Sequence, residues 1–187
     1  MKKVAIVQHS SCLLDREANV RLAAELVAES AQAGAELVVF PEAFVPGYPA
    51  WIWRLRPGSD WTLSETLHKR LLDNAVDLSQ GQLAPLQTAA RESQVTLVCG
   101  LHEREGELSR ATLYNTVVTI GPDGTILNRH RKLMPTNPER MVWGFGDASG
   151  LRVVDTPCGR IGVLLCWENF MPLARFAMYS QGIDIYI

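Results

Sequence analysis

Short runs of aliphatic and β-branched residues, each stopped by a proline, a glycine or a charge, alternate along this chain with stretches of helical periodicity. That alternation restricts the fold more than any other property of the sequence. Strands apolar throughout need cover on both faces, and helices interspersed with strands are what supply it. Val4 to Val7 reads as the first buried strand. Asp15 suits the cap of a helix running to about Ala33, with Val20, Ala23, Leu26, Val27 and Ala31 on its apolar stripe and Gly34 as its stop. Glu36 to Phe40 is the next strand, ended by Pro41, and an aromatic, proline-rich loop runs from Pro46 to Pro57. Helical spacing returns over Leu63 to Val76 and Leu83 to Ser93.

Strands then follow closely: Val95 to Leu101, Tyr114 to Ile120 and Ile126 to His130, the last two joined by the hairpin punctuation Gly121-Pro122-Asp123-Gly124. Leu151 to Asp155 and Ile161 to Leu165 form a further pair, before a helix near Pro172 to Ser180 and a final strand, Ile183 to Ile187. The pattern predicts an α/β layered sandwich. It stops at Asp184-Ile185-Tyr186-Ile187, inside what reads as a buried strand, so residues 1–187 are expected to be one domain that is partial at its C-terminal end.

With 187 residues, 47% of them hydrophobic, the chain can bury a full core without staples. A formal net charge of -2 and the lack of a basic block give nucleic-acid or anionic-membrane binding no electrostatic support. No apolar run approaches the length that spans a bilayer, and the first residues lack the features of a signal peptide. Cys12, Cys99, Cys158 and Cys166 are irregularly spaced with no Cys-x-x-Cys pair, which argues against a disulfide framework or structural zinc and points to a reducing cytoplasm.

Chemistry enters at Gly162-Val163-Leu164-Leu165-Cys166-Trp167-Glu168-Asn169, where an apolar run breaks into a polar turn and then a helix. A side chain at such a break stands at the rim of a sheet, and nearby backbone N–H groups can hold a developing negative charge. Three further residues lie at or beyond strand ends: Glu42 after Val38-Val39-Phe40-Pro41, Lys132 after Ile126 to Arg131, and Glu139 seven residues later. A free thiol is only a few per cent thiolate at neutral pH and needs a base or a cation. Glu42 could take its proton, Lys132 could stabilise anionic charge on a substrate atom, and Glu139 could hold the lysine protonated and in place.

Pro41-Glu42-Ala43-Phe44 with Pro46-Gly47-Tyr48-Pro49, Arg131-Lys132-Leu133-Met134-Pro135-Thr136, Glu139-Arg140 with Trp143-Gly144, and Cys166-Trp167-Glu168-Asn169 together resemble the nitrilase superfamily, and more narrowly its nitrilase branch. Asn137-Pro138 departs from the pattern usual before the second glutamate. The resemblance implies an αββα sandwich, here with its second half incomplete, around a Glu-Lys-Cys triad. It makes Glu42 the general base, Lys132 the catalytic lysine, Cys166 the nucleophile, Glu139 a supporting glutamate and the Trp167 backbone N–H part of the anion cradle. It implies hydrolysis of a small-molecule nitrile to a carboxylic acid and ammonia through a covalent thioimidate and thioester, without metal or other cofactor. Dimers or larger spirals are implied for a full-length form.

Several readings stay open on the residues alone. A cyanide-hydrating enzyme or an aliphatic amidase could use the same side chains, and a fragment this long could be inactive or an assembly module. Tyr48, Trp51 and Trp53 either line the pocket mouth or an interface, or pack a loop. His102 and His130 lack a cysteine-protease context and read as packing residues, Trp143 as a structural neighbour, and Glu168 as a structural ion pair behind the turn.

Overall fold

The computed structural model describes residues 2–56, 58–109 and 111–187, so Pro57, the end of the aromatic loop, lies outside the described residues. Strands β1 (Val4–Ile6), β2 (Leu37–Val39), β3 (Thr96–Arg104), β4 (Leu113–Ile120) and β5 (Ile126–Arg131) form one sheet in that order. The first three strands run parallel and the last two pair antiparallel. A second sheet holds β6 (Val154–Thr156), β7 (Gly159–Gly162) and β8 (Ile185–Tyr186).

Side-chain alternation builds the layers, because successive residues of a strand face opposite sides. Val38, Leu97, Cys99, Val118 and Ile120 point to one face of the large sheet and are covered by helices α1 (Arg16–Gln32), through Val20, Ala23 and Val27, and α3 (Ala84–Ser93), through Leu86, Ala89 and Ala90. Leu37, Val98 and Val117 point to the other face and meet Val154, Ile161, Val163 and Leu165 of the second sheet. Helix α4 (Pro172–Ser180) closes the outer side of that sheet through Ala174 and Met178. The result is an α–β–β–α sandwich, with helix α2 (Trp61–Asn74) packed on loop residues at one end.

Local signals explain most boundaries. The Asp15 carboxylate accepts from the Ala18 N–H and starts α1, and Gly34 leaves it at φ +89°. Three boundaries move for tertiary reasons. β3 continues three residues past Leu101 because His102, Glu103 and Arg104 pair with Asn115, Tyr114 and Leu113, which buries polar side chains that resembled a strand's end. Pairing in β6 begins at Val154 instead of Leu151, since Leu151 and Arg152 donate their N–H groups into the turn at Ala148 and Gly150. The ladder of β7 ends at Gly162, and the Leu165 N–H is taken by a carboxylate, that of Glu168.

One glycine permits a close approach of backbone to backbone. Gly100 in β3 faces the turn after β2, and a Cβ there would lie 2.7 Å from both Ala43 N and Glu42 Cα. Gly100→Ala is therefore expected to destabilise the protein by about 1–3 kcal/mol, because backbone atoms must give way. A urea midpoint equal to that of the unchanged protein would count against this close approach.

Candidate active site

Buried polar side chains are costly unless paired, and here they collect at one end of the sandwich. His102, Asn115 and His130, within β3, β4 and β5, and Lys132, Glu139 and Glu168, beyond the ends of β5 and β7, are all buried there.

Glu42 sits in the turn after β2, held by the next residue, Ala43, at φ +55° and by the Val45 N–H bonded to Gly100 O. Lys132 directly follows β5, and its N–H extends the ladder to Asn115 O at 2.7 Å. Its ammonium is fully buried and lies 2.8 Å from Glu42 Oε1 and 2.9 Å from Glu139 Oε2. Burial works against the charged lysine, but the two carboxylates outweigh it and hold Lys132 above its ordinary value of 10.5. Glu139 comes from a 3-10 turn, Asn137–Met141, in which its carboxylate accepts from the Thr136 N–H at 2.7 Å. Its other oxygen accepts from the Tyr48 hydroxyl at 2.8 Å, and Tyr48 accepts in turn from Trp53 Nε1.

Cys166 opens a 3-10 turn, Cys166–Phe170, with φ at +52°. A residue bearing a Cβ pays on the order of 1–2 kcal/mol there, so the surroundings must enforce the conformation. The Trp167 N–H points at its sulfur, while the Trp167 ring is exposed and stacks on Phe170 at 4.8 Å. Burial and then Glu42 raise the thiol above its usual value, partly offset by Lys132 and the Trp167 N–H, so the resting thiol is protonated at neutral pH. Cys166 and Glu42 line one cavity of about 140 Å³ between the sheets, with Phe40, Val98, Val117, Leu165 and Ile187 as its apolar walls.

Glu42, Lys132, Glu139 and Cys166, chosen from strand ends, thus share one electrostatic neighbourhood. Tyr48 and Trp53 reach it through Glu139. Trp51 instead lines a separate apolar hollow of about 330 Å³ with Ile52, Leu55, Trp61 and Met141. Among the described residues no group of three or more His, Cys, Asp or Glu side chains is placed to hold a metal ion.

Sequence reasoning passed over Asn115. Its Nδ2 donates to Glu42 Oε1 at 2.5 Å, the oxygen that also accepts from Lys132, which leaves Glu42 Oε2 without a hydrogen-bond partner among the described residues. The available signal was an amide inside the apolar run of β4. His102 also has structural work: Trp143 Nε1 donates to its Nδ1 at 2.9 Å, so Nε2–H faces Gly47 O at 3.0 Å. Burial pushes this imidazole down to about 3, and it stays neutral beneath the Tyr48 loop.

A four-layer α–β–β–α sandwich that gathers a cysteine, a lysine and two glutamates at one end defines the class of fold and site. The chain belongs to the carbon-nitrogen hydrolase family, whose sequence profile matches residues 3–187. It is 42% identical over 185 residues to the bifunctional nitrilase/nitrile hydratase NIT4B of Nicotiana tabacum and to nitrilase 1 of Arabidopsis thaliana, covering 98% of this chain and 52% of each relative. The chain therefore spans about half the length of the curated relatives it matches. Solved structures with the same fold include a carbon-nitrogen hydrolase from Helicobacter pylori G27 (TM-score 0.70, 22% identity, 99% of this chain and 58% of that one). An amidase from Nesterenkonia sp. superposes with TM-score 0.70 at 22% identity, over 99% of this chain and 63% of that one.

Proposed function

We propose that the protein containing this chain hydrolyses an organic nitrile to a carboxylic acid and ammonia, with Cys166 as nucleophile. The observation that carries the proposal is the buried Lys132 ammonium gripped by both Glu42 and Glu139 beside the cavity that Glu42 shares with Cys166. Because the thiol rests protonated, attack needs a base in place, and the unbonded Oε2 of Glu42 supplies it. The sulfur adds to the nitrile carbon as its proton passes to Glu42. That proton, delivered to the nitrogen with help from the Lys132 ammonium, gives a neutral thioimidate. Water adds to the thioimidate carbon, the C–N bond breaks, and ammonia leaves a thioester on Cys166. A second water, deprotonated by Glu42, releases the acid and restores the thiol. Glu139 holds the lysine in position, and the Trp167 N–H, beside the sulfur, joins Lys132 in cradling the negative charge that develops on the substrate nitrogen or oxygen.

The nitrile is favoured over an amide by Trp167 and Asn169 after the cysteine and by the nitrilases at 42% identity. Product analysis with a nitrile and its matching amide tests the choice. Acid and ammonia from the nitrile are expected, and turnover of the amide alone would replace this reading with an amidase. Formamide as the sole product from cyanide would replace it with a cyanide hydratase.

Self-association belongs to the same proposal. Phe170, Leu173 and Phe176 lie exposed along the Cys166–Phe170 turn and α4, an apolar face suited to a second copy. A single monomeric species in sedimentation at micromolar concentration would remove this part.

A further inference from the structure

Glu168 stands two residues from the nucleophile, yet it lies outside the cavity that Cys166 and Glu42 share. It is buried to 1% exposure, and its carboxylate spends its capacity on three donors. Oε1 accepts from the Leu133 N–H at 2.7 Å, Oε2 accepts from the Leu165 N–H at 2.7 Å, and His130 Nε2–H lies 3.0 Å from both oxygens. Leu133 directly follows Lys132, Leu165 directly precedes Cys166, and His130 is two residues before Lys132.

These contacts join two parts of the molecule that share no strand ladder. Lys132 extends from the large sheet and Cys166 from the smaller one, and the contact between those layers is mostly apolar packing. Apolar packing is non-directional, whereas charge-assisted hydrogen bonds fix both distance and angle. The same carboxylate also clamps the backbone on the N-terminal side of the left-handed Cys166, while Glu168 N–H bonds to Leu165 O at 3.0 Å and Asn169 Nδ2 bonds to Cys166 O at 3.0 Å.

We infer that Glu168 is a positioning residue: its buried carboxylate is the strut that sets the Cys166 turn at working distance from Lys132. The inference deepens the proposed reaction and rests on Cys166 being its nucleophile. The charged groups acting on the Cys166 thiol are Glu42, Lys132 and Glu139, so Glu168 governs the thiol through geometry.

Two variants test this on the whole protein. In Glu168→Gln, the amide NH2 must oppose either the Leu133 or the Leu165 N–H, because a glutamine cannot accept on both sides. Glu168→Asp keeps the charge but is one methylene too short to span both. For either, kcat per active site, counted by mass spectrometry as acid-quenched Cys166 adduct, is expected to fall about 10²-fold with KM within about threefold. A purely structural role would lower the number of active sites and leave kcat per site unchanged, and that result overturns the inference. A second readout needs no turnover. Alkylation of Cys166 by iodoacetamide, followed from pH 6 to 10, is expected to titrate at least about half a unit lower in the variants, as the thiol moves away from Glu42 toward ordinary solvation. Superimposable pH profiles would overturn the inference too. If the unchanged protein forms no adduct with nitrile or amide, the functional reading fails, while the alkylation profiles still decide the role of the strut. Should Glu168→Gln fail to fold, Glu168→Asp is judged by the same two readouts.

Discussion

With Cys166 replaced by alanine, ammonia release from a nitrile is expected to fall by about 10⁴-fold or more, because no other group can form the thioimidate. The folded protein should hardly notice. The side chain is exposed at the cavity, alanine keeps a Cβ at the same left-handed φ, and the clamps on Leu165 and Cys166 use backbone atoms. A shift in stability within about 0.5 kcal/mol is therefore expected by urea titration. The pairing of lost turnover with an unchanged fold is what separates a nucleophile from a packing cysteine. Residual turnover within tenfold of the unchanged protein would sink the covalent mechanism.

Lys132→Met is expected to show the opposite balance, with a large loss of both activity and stability. Methionine fills a similar volume but removes the cation shared by Glu42 and Glu139. Breaking a buried ion pair in this way costs about 3–5 kcal/mol, since the carboxylates are left facing each other inside the protein. The penalty should depend on pH with a definite sign. In the unchanged protein the folded lysine value lies above 10.5, so its contribution is complete below that pH and is lost as pH rises through the folded value. Urea midpoints of the unchanged protein and the variant, measured from pH 8 to 12, read this trend. A stability gap between the two proteins that does not narrow toward pH 12 would show that Lys132 does not neutralise this pair.

The alternation of apolar runs with amphipathic helices made the layers legible in advance, because period 2 and period 3.6 patterns survive in a linear string. The Val38/Leu97/Cys99 face meets α1 and α3, and the Leu37/Val98/Val117 face meets the second sheet, as an αββα sandwich requires. Strand ends were less legible where polar residues are buried by pairing, as in His102 and Glu103 of β3. Glu42, Lys132, Glu139 and Cys166 could be picked out because strand-end placement coincided with the motifs that resemble the nitrilase superfamily, whereas placement alone fits solvated or packing residues equally. Asn115 sits in mid-strand and gained its significance only when β4 brought its amide to Glu42, 73 residues away. Trp51 and Trp53 are two positions apart, yet one faces an apolar hollow and the other reaches Tyr48. Loop backbone, which carries no simple period, decided that difference.

What the string of residues determined by itself was the kind of element at most stretches and the layered class of the fold, since period 2 and period 3.6 follow from local chemistry, while its motifs singled out Glu42, Lys132, Glu139 and Cys166 through a family resemblance. Tertiary structure alone decided that the lysine is shared by two carboxylates and that burial and Glu42 raise the thiol above its usual value. It also decided that one buried glutamate ties the two sheets together beside the nucleophile. The shared lysine and the tie between the sheets depend on distances of about 3 Å between residues up to 90 positions apart, and on the exclusion of water from between them. Neither quantity exists until the layers close.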